Sequence, residues 1–170
     1  TREGSYGNSI DTRVGENYSD LYSAKVDRKG KWGTPIAIEP PINSEQNEGG
    51  ATFDSKYTNI YFTRCPSEKN QTLGCFIMSA RKSGKGFDEP EKLEFAADSF
   101  VVAHPAMMPD GESMVFVANI PGGYGGKDLY YATFDKREKT WSEPVNLGSA
   151  INTADDEMFP FVKDNGDLCF

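Results

Sequence analysis

The chain has 170 residues, a formal charge of −8 and a pI near 4.7. That length can bury one core, and the charge is wrong for nucleic acid, whose binding needs clustered Lys and Arg. No apolar run approaches the ~18–20 residues of a membrane-spanning helix, and no charged start followed by an apolar stretch is present, so any targeting signal is expected outside these residues.

In chain order, Asp27 to Trp32 reads as a turn between two strands, and 41–47 as a long loop. Cys65 closes one strand and Cys75 opens the next. The two thiols then face each other across a hairpin, and a disulfide is expected, which fits an oxidising compartment. Loop 96–103 leads to a short strand ending near Pro105-Ala106-Met107-Met108. Asp110-Gly111 is a tight turn, because glycine supplies positive φ and aspartate tolerates it. A strand from Ser113 to Ala118, a glycine-rich loop from Pro121 to Lys127 and a strand from Asp128 to Phe134 follow. A charged turn, Asp135 to Lys139, precedes a fourth strand from Trp141 to Leu147, and the loop from Gly148 to Asp156 starts the next unit. Cys169 lies in an apolar strand and is expected to be a buried free thiol.

The chain repeats itself. Phe62, Phe116 and Phe170 are 54 residues apart, as are Leu21, Cys75 and Leu129. Pro35, Pro90 and Pro144 are spaced 55 and 54, and so are Trp32, Phe87 and Trp141. Ile42-Asn43-Ser44 returns as Ile151-Asn152-Thr153, and Glu48 as Glu157, after 109 residues. About four short strands per repeat of this length is the pattern of a propeller blade. A four-stranded sheet has two faces and needs a neighbour on each, and Leu129 to Phe134 carries apolar side chains on both. The expected fold is therefore all-β: a β-propeller of four-stranded antiparallel blades. Its repeat units are placed at roughly 1–62, 63–116 and 117–170, with no second domain. The aromatic column at 32, 87 and 141 is expected to pack over the blade rim. Closed rings have four to eight blades, so three units read as part of a larger ring, such as half of a six-bladed one. Thr1-Arg2 matches Thr63-Arg64, so the chain starts and stops at one phase of the repeat.

The run from His104 through Pro109-Asp110-Gly111 to Phe116 resembles the PD40 (WD40-like, TolB-type) propeller motif. Gly122 to Tyr130, Trp141 to Gly148 and Ile151-Asn152-Thr153 are similar to the blades of Bacteroidetes OmpA-family envelope proteins. Arg2-Glu3-Gly4-Ser5 and Asp20-Leu21-Tyr22 resemble PorE-type components of the type IX secretion system. The resemblance implies a protein-interaction module in the periplasm, associated with the outer membrane. Its partners would be envelope or secretion-complex proteins and the remainder of the propeller, and an OmpA-like domain elsewhere would supply a peptidoglycan link. Neither membrane insertion nor a cofactor is implied. Asp54-Ser55-Lys56 stands where the motif has Pro-Asp-Gly, and Ala96-Ala97-Asp98-Ser99 where two units have Ile-Asn-Ser/Thr.

The chemical motifs are weak. One histidine, His104, and scattered cysteines exclude an ordinary His/Cys zinc site. His104 has no evident Ser or Cys partner for a triad. Gly122 to Asp128 departs from a phosphate loop at Pro121 and Asp128, and a strand follows it instead of a helix. The turns before Trp32 and Trp141 do not fit the spacing of a sialidase Asp-box. Asp155-Asp156-Glu157 and Asn47-Glu48 offer oxygen ligands for calcium, but one loop supplies too few, and a Glu capping backbone amides is the preferred reading. Asn17-Tyr18-Ser19 and Asn70-Gln71-Thr72 fit the glycosylation triplet, which is incidental in a bacterial protein. The expectation is a non-catalytic scaffold. The alternatives are a propeller enzyme or gating domain, of glycan-hydrolase or prolyl-peptidase type, and a small-ligand sensor.

Loops 41–47, 66–74, 96–103, 119–127 and 149–156 are long and should share one face, where function concentrates. Tyr124, Asn43, Gln46, Asn47, Asn152, Asp155 and Asp156 are the expected partner contacts there.

Overall fold

A computed structural model describes residues 10–11, 15–66, 74–84 and 86–170. The match of Thr1-Arg2, the segment Arg2 to Ser5 and the triplet at Asn70 lie outside them. The described residues form sixteen strands and no helix. The first four strands are short pairs: β1 (Ile10–Asp11) with β2 (Glu16–Asn17), and β3 (Tyr22–Ser23) with β4 (Ile36–Ala37). Two larger antiparallel sheets follow. One orders β5 (Asn47–Phe53), β6 (Asn59–Cys65) and β7 (Phe76–Ser83), with β8 (Gly86–Phe87) and β9 (Glu91–Lys92) both on β7. The next repeats the order with β10 (Val102–Met107), β11 (Ser113–Ala118) and β12 (Asp128–Asp135), and β13 (Thr140–Trp141) and β14 (Val145–Asn146) on β12. A final pair is β15 (Phe161–Val162) with β16 (Leu168–Cys169).

The central strands are apolar on both faces because both faces are covered. Every residue of β11 is buried. Met114, Phe116 and Ala118 turn to the preceding sheet, where they meet Tyr61, Ile77 and Phe95, while Val115 and Val117 turn the other way, toward Leu147, Met158 and Leu168. The preceding sheet does the same one repeat earlier, where Ile60, Phe62 and Met78 cover Ile42, Leu21 and Ile38. Burying one such side chain stabilises by roughly 1.5–3 kcal/mol, so these layered cores hold the sheets face to face.

The backbone repeats as well as the side chains. Tyr57, Gly111 and Gly166 have φ of 55, 67 and 88°; Gly50, His104 and Phe159 have 41, 52 and 54°; Gly30, Gly84 and Lys139 have 79, 56 and 56°. Each set recurs every 54–55 residues and marks one bend of the repeated unit. The second coincides with a register shift in the first strand, between Gly49 and Ala51 in β5 and between Ala103 and Ala106 in β10.

The large sheets run from 47 to 92 and from 102 to 146, so units counted as 63–116 and 117–170 each take the end of one sheet and the start of the next. Three expectations need correction. The fourth strand is two short pieces, because Pro90 and Pro144 lack the N–H that a continuous ladder needs. Trp141 packs against Tyr61, Phe95 and Phe134, but Trp32 is 67% exposed in a region that, among the described residues, pairs through β3, β4 and the Val26–Trp32 bridge. Cys169 is exposed, since it lies on the two-residue strand β16.

Candidate functional site

Residues 67–73 of the loop 66–74 lie outside the described residues; loop 119–127 meets loop 149–156 through the Lys127–Asp156 bridge, loop 41–47 meets Ser19 and Asp11, and most of the polar side chains of these loops hold the backbone. Asn152 is buried and grips the start of β12: its Oδ1 accepts from Leu129 N–H at 2.8 Å, and its Nδ2 donates to Leu129 O at 3.0 Å and to Asn146 Oδ1 at 2.8 Å. Asn43 grips Leu21 in the same way, accepting from its N–H at 2.8 Å and donating to its carbonyl at 2.9 Å and to Ile38 O at 2.7 Å. In the middle repeat the same column holds Cys75, bonded to Cys65 (S–S 2.04 Å) and accepting from Val102 N–H through its carbonyl at 2.9 Å. One place in the repeat is thus fastened by an amide in two units and by a disulfide in the third.

The glycine-rich loop is built from its own neighbours. The buried Asp128 carboxylate accepts from the amides of Tyr124 at 2.7 Å and Gly125 at 2.9 Å and from Asn146 Nδ2 at 2.9 Å. Gly125 is required by a close approach, because a Cβ there would lie 1.9 Å from Asp155 O. Lys127 Nζ pairs with Asp156 at 2.5 Å, and this bond holds the Asp156 carboxyl below its ordinary range. Glu157 N–H donates to Lys127 O at 2.9 Å. Loops 119–127 and 149–156 are therefore one fastened surface.

The expected contact residues separate into three groups. Tyr124 is 53% exposed, and Asp155 and Asp156 are exposed beside it. Asn43 and Asn152 are corrected: both are buried in the backbone grips described above and present nothing to a partner. Asn47 is half-buried, accepting from Ser19 N–H at 3.0 Å and donating to Asp11 at 2.8 Å; Gln46 is half-buried next to it. Glu48 and Glu157 cap their loops, each accepting from the hydroxyl and amide of a Ser or Thr four residues earlier. Among the described residues no group of three His, Cys, Asp or Glu could hold a metal ion.

Two features escaped the sequence. His104 stacks on Phe159 at 4.2 Å and 17°, and both are non-glycine residues at positive φ. The His104 amide donates to Thr63 Oγ1 at 2.8 Å, while burial and the nearby Lys127 charge hold the imidazole pKa below its ordinary value. At the opposite end, Phe53, Tyr57 and Phe161 line a groove of ≈ 400 Å³ with Met108 and Pro109. The positive-φ bend puts Ser55-Lys56-Tyr57, one residue later than the expected Asp54-Ser55-Lys56, in the place of Pro109-Asp110-Gly111, so that Tyr57 stands where Gly111 and Gly166 stand elsewhere.

Replacing Asn152 by alanine should cost about 3 kcal/mol, because it orphans a buried N–H and a buried carbonyl of Leu129 together. Urea unfolding is the measurement, and a loss below about 1 kcal/mol means that the amide grip is not what fastens β12.

No family model matches the chain, and no curated protein matches it.

Proposed function

We propose that the sheets are consecutive blades of a β-propeller, and that its long-loop face is a non-catalytic docking surface for protein partners. Support for the ring comes from one backbone design recurring every 54–55 residues and from sheets covered on both faces. Three units are fewer than a closed ring uses, so further blades complete it. The observation that carries the docking reading is the division of labour among polar side chains. Asn43, Asn152, Asp128, Glu48 and Glu157 are engaged in holding loops, while Tyr124 and Asp155 stand exposed on the base so formed. Tyrosine offers contact area at low entropic cost, and the acidic groups steer a basic partner.

The Cys65–Cys75 bond suits an oxidising compartment, and with the motif resemblance it favours the bacterial periplasm and an outer-membrane-associated secretion complex. In that setting the partners are other envelope proteins, and any peptidoglycan attachment comes from an OmpA-like domain. A photoreactive residue placed at Tyr124 in cells should capture an envelope protein, and one placed at Arg137 on the far turn should not. Tyr124→Ala and Asp155→Ala together should weaken that partner at least tenfold, about 1.4 kcal/mol. Equal capture at both positions, or unaltered affinity in the double variant, defeats the assignment.

A further inference from the structure

Two loops of this chain share one design, and only one of them is closed by an arginine. In the first, Glu48 accepts from Ser44 Oγ at 2.5 Å and Ser44 N–H at 3.2 Å. Arg64, its cross-strand neighbour on β6, donates Nε to Glu48 Oε1 at 2.8 Å and Nη2 to Pro41 O at 3.0 Å and Ile42 O at 2.9 Å. In the second, Glu157 accepts from Thr153 Oγ1 at 2.5 Å and Thr153 N–H at 3.1 Å. Ala150 and Ile151 stand 109 residues after Pro41 and Ile42, and among the described residues no donor reaches their carbonyls. Glu157 is only 7% exposed, and among the described residues no cation lies within ion-pair distance of it. Ala150 and Thr153 are exposed where Pro41 and Ser44 are half-buried beneath Arg64.

We propose that Glu157 and the carbonyls of Ala150 and Ile151 form a guanidinium socket. It receives an arginine side chain carried on a strand that runs antiparallel to residues 157–162 in the direction of β16. A carboxylate this buried favours a charge-assisted partner, and three acceptors in a fork suit arginine better than lysine. The register fixes where the arginine stands. Val162 pairs with Leu168 as Phe53 pairs with Ile60, and Phe170 holds the place of Phe62, two residues before Arg64. The socket is argued from two loops and does not depend on ring closure.

The test extends the chain after Phe170 by threonine and arginine, copying Thr63 and Arg64. Parallel extensions end in lysine or glutamine. The arginine extension should melt about 3 °C or more above the glutamine one, with lysine giving less than half of that gain. Glu157→Gln should abolish the gain; where that variant does not fold, the arginine, lysine and glutamine extensions of the unaltered chain decide. A separate hexapeptide carrying Phe-Thr-Arg, added at millimolar concentration, should move the Thr153 and Ile151 amide resonances if the strand comes from another molecule, and a glutamine-for-arginine peptide should not. A response confined to the extension assigns the strand to the same polypeptide, and a response confined to the peptide assigns it to a partner. Equal melting of the arginine and glutamine extensions, together with unmoved resonances in the peptide titration, overturns the proposal.

Discussion

Arg64→Gln is expected to lower the stability of the chain by about 3–5 kcal/mol at neutral pH, the usual result of removing one partner from a buried ion pair. The Glu48 side chain is fully covered and that of Arg64 nearly so. Burial pushes the Glu48 carboxyl above its ordinary value; the Ser44 hydrogen bonds and the Arg64 charge pull it back only in part. Without the guanidinium the carboxyl rises further. An acid whose folded pKa is raised binds more protons folded than unfolded, so its stability contribution falls as pH rises from about 4.5 through the folded value. The difference between parent and variant should therefore be smaller at pH 5 than at pH 7.5. Urea unfolding at both values measures it, and carboxylates common to both proteins cancel in the difference. Glu48→Gln combined with Arg64→Gln should be more stable than Arg64→Gln alone, because no charge is then left buried. A variant loss that is the same at both pH values removes Glu48 from the account.

Much of this architecture could be read before any coordinates. Residues 113–118 and 128–134 announce themselves as strands because both faces need apolar cover, and β11 and β12 lie within a residue of those bounds. The period was equally visible, because Phe62 and Phe116 must fill the same space in successive layers. Its phase was visible too: the strand ending near 108, those starting at 113 and 128 and the one from 141 fall together in the sheet of β10 to β14. Burial along short strands was obscure. Trp32 and Cys169 look like core by composition, yet their strands are two residues or a single bridge, with too little sheet to cover them. The asparagines misled for a different reason. An amide in a loop resembles a surface group, but its oxygen and nitrogen together match one residue's N–H and C=O, and Asn43 and Asn152 use both in that way. The bends at Tyr57, His104 and Phe159 were hidden because glycine is the usual marker of positive φ, and none of these is glycine.

Phe116→Ala should produce the other large loss, about 3–5 kcal/mol, since an emptied aromatic site in a packed core loses transfer energy and leaves a cavity. Phe116 is fully buried, stacks on Phe95 at 4.6 Å and lies 6.3 Å from Tyr130. These rings join the sheet of β10–β14 to the one before it, so the loss belongs to the contact between sheets and not to one strand. Trp141 reports on that contact, because it meets Tyr61 and Phe95 across the seam, while Trp32 stands in solvent. If the sheets depend on each other, Trp141 fluorescence and far-ultraviolet dichroism should shift to lower urea together, in one transition. Two transitions, with only the fluorescence displaced, would mean that each sheet holds by itself and that mutual cover is not what stabilises the layers. Phe170 provides the control. It occupies the same column but is 55% exposed, so Phe170→Ala should stay within about 0.5 kcal/mol of the parent. Equal losses at 116 and 170 would trace the cost to a phenylalanine anywhere in this column, and the sandwich between successive sheets would no longer explain it.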